Sequence, residues 1–156
     1  MKRPIEVDWQ SLLDAYQGFE PDDPALAPLL AIDTGDVTCA MLLGSAQADA
    51  LLGDGRLLPL PVKGARRSWQ QRLDFIETLC NRDLAQDLLG APDWKNPFQA
   101  FDTILERVPV EQARWVEHQR LEDLEALWRW LDRAGYAPDP APAMRRTIIE
   151  FPRRAT

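Results

Sequence analysis

The sequence is short of the residues that most often carry chemistry. It holds one histidine, His118, and two cysteines, Cys39 and Cys80. Two distant cysteines do not build the disulfide framework of a small secreted domain. Even with the histidine they fall short of the four ligands of a structural metal site. Buried free thiols are therefore expected, with no metal and no cofactor. No apolar run approaches the roughly 20 residues that a membrane-spanning helix requires, so no membrane association is expected. Met1-Lys2-Arg3-Pro4-Ile5-Glu6 carries basic residues with no apolar stretch behind them, so a secretory leader is not expected and the reading is cytoplasmic. A glycine-rich phosphate loop is also missing, because Gly53-Asp54-Gly55 lacks the following lysine and helix start.

Positive charge is scarce as well. Eighteen Lys and Arg stand against 25 Asp and Glu, for a formal charge of −7. A general nucleic-acid binder needs a basic face to displace counterions, and this balance opposes one. The charge is uneven. Within 138–156, Arg145, Arg146, Arg153 and Arg154 outweigh Asp139 and Glu150 to leave +2, so the remainder carries −9.

What is present fits a globular protein. The chain has 156 residues, 46% of them hydrophobic and 28% charged, enough for one domain with a substantial core. Residues 1–137 read as a single α+β domain, and 138–156 as a proline-rich linker followed by a basic tail or edge strand.

The stretch Leu29-Leu30-Ala31-Ile32-Asp33-Thr34-Gly35-Asp36-Val37 reads as two strands joined by a tight turn. It contains the Asp-Thr-Gly triplet that aspartic proteases use. There, two close carboxylates share a proton, and the split in their acidity drives attack by water. In this chain Asp36 follows the glycine and would crowd such a dyad with charge, and the second half reads as helix rather than protease strand. The turn is the expected role: Gly35 supplies positive φ and Asp33 bonds its own backbone. Cys39 and Met41 suit a continuing strand. Residues 44–54 read as a loop or short helix. Arg56-Leu57-Leu58-Pro59-Leu60-Pro61 reads as a third strand, which its prolines place at a sheet edge.

Helices account for the rest. Asp8 caps a helix with Trp9, Leu12, Leu13 and Tyr16 on one face, ended by Gly18. Ser68 and Gln71 form a capping box ahead of Trp69, Leu73, Ile76 and Cys80. Leu84, Leu88 and Leu89 follow, stopped by Gly90. Asn96-Pro97 opens a helix lined by Phe98, Phe101, Leu105 and Val108, which Pro109 ends. The longest helix runs from about Glu111 to Ala134, with Leu121, Leu124, Trp128 and Leu131 as its buried stripe and Glu125–Arg129 as an exposed i,i+4 pair. Thr147-Ile148-Ile149-Glu150-Phe151 is a late edge strand or a tail.

The order of these motifs resembles a known family. Asp8-Trp9 precedes the Asp33-Thr34-Gly35-Asp36-Val37 turn and Leu58-Pro59-Leu60-Pro61. Phe75-Ile76-Glu77, Phe98-Gln99-Ala100-Phe101-Asp102, Trp115 and Trp130-Leu131 follow, before Gly135. Over roughly residues 7–137 this order resembles the bacterial uncharacterised protein family 0158. The resemblance implies a small cytoplasmic bacterial protein with no assigned activity, and it carries over no catalytic residue. Family members tend to have a glycine-rich start and paired arginines around the two phenylalanines. Here Asn96-Pro97 and Gln99-Ala100 take those places, so an anion-binding role is not carried over.

Six tryptophans remain to be placed. Trp9, Trp69 and Trp128 fall on apolar faces and read as core. Trp94, Trp115 and Trp130 are less clearly inward and form the candidate partner surface, beside acidic positions such as Asp93, Glu111 and Asp132. His118, between Glu117 and Gln119, lacks a nucleophile motif nearby and reads as a surface residue. Glu117, Glu122, Asp123 and Glu125 read as a solvated helix face. The fold expected is α+β, with a short antiparallel sheet of about three strands packed against four or five helices. The function expected is non-catalytic binding of another protein, as a regulator or adaptor, with no catalytic residue assigned. A small hydrolase using Asp33 and a nucleic-acid-associated factor using the arginine-rich tail are the alternatives. Nothing in the sequence assigns an oligomeric state.

Overall fold

Local signals dictate most of the helix boundaries, as a computed structural model describing residues 2–18 and 22–142 shows. The described residues form seven helices and five short strands, an α+β fold. They divide into two compact units. One runs up to Lys63 and resumes at Glu122; the other is Gly64–Leu121. The sequence reading places a single domain over 1–137.

The first unit is built on two small sheets. Strand β1 (Arg3–Glu6) pairs in parallel with β5 (Tyr136–Asp139), with Arg3 opposite Tyr136 and Ile5 opposite Pro138. This sheet is not legible in the sequence, because Ala137-Pro138-Asp139-Pro140 looks like a stiff linker. A two-stranded sheet tolerates the prolines, since each strand keeps an edge that needs no donor. Trp9 ties the end down: its Nε1 donates to the Pro140 carbonyl at 2.7 Å. Strand β2 (Leu29–Ala31) lies between β3 (Val37–Thr38) and β4 (Leu57–Pro59), antiparallel to both. The strand carrying Pro59 is at the edge, as its proline requires.

Helix α1 (Trp9–Gln17) is capped as its sequence demands. The Asp8 carboxylate accepts from the backbone N–H groups of Gln10 and Ser11. Its bonds from Ser11, side chain first and then backbone, hold the Asp8 carboxyl below its ordinary range. The strand expected through Cys39 and Met41 stops at Thr38. Ala40–Leu43, all good helix formers, turn into the one-turn helix α2, and Gly44 at φ 87° leads into α3 (Ser45–Gly53). The core of this unit gathers Ile5, Leu12, Leu13, Leu30 and Ile32 with Leu124, Leu127 and Leu131 of the last helix.

The second unit is helical. Helix α4 (Ala65–Glu77) starts three residues before the expected capping box, behind Gly64 at φ 74°. Ser68 is inside it, with its N–H donating to the Gly64 carbonyl at 3.1 Å. The buried face is accordingly Gln71, Arg72, Phe75 and Ile76, and Cys80 is exposed beyond the helix end. Asn81 caps α5 (Arg82–Leu89) by accepting from Leu84 N–H. Asn96-Pro97 does open α6 (Pro97–Leu105), although the Asn96 side chain bonds Gln99 rather than the backbone. Pro109 does not end that helix; it begins α7 (Pro109–Arg133), whose first half packs into this unit.

Candidate functional site

The Asp-Thr-Gly triplet is a turn on the surface of the first unit. Gly35 N–H donates to the Ala31 carbonyl at 2.7 Å, and Ala31 N–H to the Asp36 carbonyl at 2.8 Å. Gly35 sits at φ 75° and is buried; a Cβ there would come within 2.0 Å of the Glu6 carbonyl oxygen. Two constraints thus select glycine, a left-handed backbone and close approach to the chain leaving β1. Asp33 is exposed. Its carboxylate accepts from Arg56 Nε and Nη2 instead of from its own backbone. Both donors meet the same oxygen, Oδ2, so the charge that a protease dyad would share with a second carboxylate is engaged by a guanidinium.

A buried ionic node lies in the same unit. Lys63 Nζ donates to Asp123 Oδ2 at 3.0 Å, and Gln17 Nε2 donates to the same oxygen at 2.9 Å. Asp123 is fully buried and Lys63 nearly so. The reading of Glu117, Glu122, Asp123 and Glu125 as one solvated face therefore fails at Asp123, while Glu125 does pair with Arg129 on the exposed side. A buried pair of this kind contributes little net stability, but removing one partner strands a charge at about 3–5 kcal/mol. The Lys63–Asp123 pair itself is closed to solvent and ties the last helix to the segment before Gly64. Nothing in the sequence marked Lys63, since a lysine next to Gly64 looks like a loop residue.

The second unit holds an arginine inside an aromatic cluster. The Arg72 guanidinium lies 4.6 Å from the Phe98 ring centre, 5.2 Å from Phe101 and 5.1 Å from Trp115. Its Nη1 donates to the Ser68 carbonyl at 3.1 Å. Desolvated cation–π contacts contribute on the order of 2 kcal/mol, which helps offset burying the charge. Partial withdrawal from water raises the Asp102 carboxyl above its ordinary range, against the pull of Arg72 and with a push from Glu106. His118 is half-buried rather than on the surface. It stacks on Trp115 with ring centres 6.0 Å apart and leans on Phe75 at 5.6 Å. Glu117 beside it pairs with Arg120. In this cluster Arg72 and His118 both pack against aromatic rings.

The three tryptophans of the expected partner surface separate. Trp115 is only 4% exposed, at the centre of that aromatic cluster, and cannot line a surface. Trp130 is half-buried against the core of the first unit. Trp94 alone stands out, 56% exposed after the turn that follows α5. Trp128, expected in the core, is 44% exposed.

A larger set of exposed apolar side chains lies elsewhere, where the sequence gives no sign of it. In the first unit Leu42 is 78% exposed and Met41 57%, both on α2, and Leu26 projects from the adjoining turn Pro24–Leu26. The Ala-Met-Leu-Leu run looks like the continuation of a buried strand, and only the turn into α2 brings it outside. Grouped exposed apolar side chains make this a candidate docking surface.

Among the described residues no group of three or more His, Cys, Asp or Glu is placed to hold a metal ion, and no helix is long and apolar enough to cross a membrane. Both thiols are free; Cys39 is half-buried and Cys80 exposed, so neither is the buried thiol expected. No protein-family model, curated protein or solved structure matches the chain.

Proposed function

We propose that this is a non-catalytic binding module, a cytoplasmic regulator or adaptor that docks another protein on the surface formed by Leu26, Met41 and Leu42. The observation that carries the reading is the exposure of Met41 and Leu42 on a one-turn helix. Covering each such side chain contributes up to about 1.5–3 kcal/mol, so three of them can supply the core of a contact. Trp94 is a second exposed anchor, and it is what the tryptophan surface reduces to. The free thiols fit a reducing compartment. The joint order of the Asp33-Thr34-Gly35-Asp36-Val37 turn, Leu58-Pro59-Leu60-Pro61 and the Phe98–Phe101 helix supports membership of bacterial uncharacterised protein family 0158 as part of this proposal. The Asp33 hydrolase reading stands behind it, because Arg56 engages that carboxylate. The reading through the arginine-rich tail rests on residues outside the described ones.

A photo-crosslinking residue at position 42 tests the module in cells. A discrete protein adduct is expected, absent when the crosslinker is placed at the exposed Gln47 and lost on Met41→Ser. Equal labelling from both positions would end the reading.

A further inference from the structure

We propose that the occupant of the Leu26–Met41–Leu42 surface is a polypeptide segment whose apolar anchor is flanked by lysine or arginine. The proposal rests on the docking reading above and adds the chemistry of the partner.

It starts from charge. Every charged residue from Gly18 to Gly55 is acidic. That stretch carries Leu26, Met41 and Leu42, and its aspartates flank them along the chain. Asp22 and Asp23 lead directly into the turn that carries Leu26, and Asp36 leads into β3 and so to α2. Asp49 lies on α3, which follows α2 across Gly44, and Asp54 caps its end. All five aspartates are exposed. Among the described residues none of the five is in an ion pair, whereas Asp33 in the same stretch is neutralised by Arg56. The apolar side chains therefore lie on a stretch whose charges are all of one sign, five of them exposed and, among the described residues, in no ion pair.

Such a field selects its occupant. Complementary charge speeds encounter and rejects like-charged partners. Nucleic acid and anionic lipid would bring negative charge to negative charge. A second copy of this chain would do the same, because a two-fold contact sets identical patches against each other. A segment with basic residues around an apolar anchor satisfies both the exposed leucine and methionine and the surrounding aspartates.

The test uses the full chain and three labelled synthetic amphipathic peptides of equal length, built from Leu and Lys, Leu and Glu, or Ser and Lys, read by fluorescence anisotropy. The Leu/Lys peptide should bind at least about tenfold tighter than either of the others. Met41→Ser with Leu42→Ser should weaken it at least about tenfold. Asp22→Asn, Asp23→Asn and Asp36→Asn together should weaken it by about tenfold at low salt and by less at high salt. All three aspartates are exposed, and asparagine can still cap the turn at position 23, so the variant should fold.

Equal binding of Leu/Lys and Leu/Glu peptides, both lost in Met41→Ser/Leu42→Ser, would overturn the basic partner and leave the docking surface standing. Leu/Lys binding that survives Met41→Ser/Leu42→Ser would reduce the effect to diffuse charge and overturn both. Failure of all three peptides to bind would do the same. A concentration-dependent dimer in sedimentation velocity, abolished by Met41→Ser/Leu42→Ser, would name a second copy as occupant and overturn the basic partner.

Discussion

Gly35 carries more of the first unit than its neighbour Asp33, although the aspartate draws attention in the sequence. Two costs meet at Gly35. A side chain at φ 75° costs about 1–2 kcal/mol, and its Cβ would overlap the Glu6 carbonyl, which must move. Asp33 is exposed and its pair with Arg56 is a surface ion pair, of the order of 0–1 kcal/mol. Gly35→Ala should therefore cost about 3 kcal/mol or more in urea melts, and Asp33→Asn less than about 1 kcal/mol. Equal losses would mean that the ion pair, and not the backbone, holds the turn. The need for a turn glycine is legible in the triplet itself. Its second constraint is not, because Glu6 is far away in sequence and reaches the turn only through β1.

The last helix shows how a correct element can be read in the wrong rotation. Its extent, Pro109–Arg133, is close to what the capping and periodicity imply. Its stripe is shifted: Leu124, Leu127 and Leu131 are buried where Leu121, Leu124, Trp128 and Leu131 were expected. Positions 127 and 128 are both helical neighbours of 124 and 131, so spacing alone allows either. The tertiary contacts select between them: with Asp123 against Lys63 and Gln17 and Leu124, Leu127 and Leu131 in the core, Leu127 faces inward and Trp128 is left half in water. Leu127→Ala should cost about 2–5 kcal/mol, and Trp128→Ala less than about 1 kcal/mol, by thermal or urea melts. A larger loss at Trp128 would restore the expected rotation. The same limit explains α2 and α4. A short apolar run after a strand does not say whether it continues or turns, and Gly64 starts a helix by backbone geometry that no capping side chain announces.

At the scale of the molecule, charge governs what the protein meets. The formal charge is −7 and the chain outside 138–156 carries −9, which repels polyanions. No tight binding to duplex DNA is expected at physiological salt in gel-shift or anisotropy titrations. Binding that falls steeply with salt and vanishes when 144–156 are removed would assign the tail a nucleic-acid role. The late strand expected at Thr147–Phe151 lies outside the described residues.

The sequence by itself determined the α+β class, the Asp8 and Asn96-Pro97 helix starts, the Asp33–Asp36 turn and the edge position of the Pro59 strand. Each of these is local: a cap, a proline or a turn glycine acts on backbone groups a few residues away. Only the tertiary structure decided that the described chain forms two units, that β1 pairs with β5, and that Lys63 meets Asp123 in the interior. It alone turned Trp115 inward and Met41 and Leu42 outward. Those outcomes depend on partners distant in sequence, and an amphipathic pattern fixes how much of a helix is apolar without fixing which neighbour covers it.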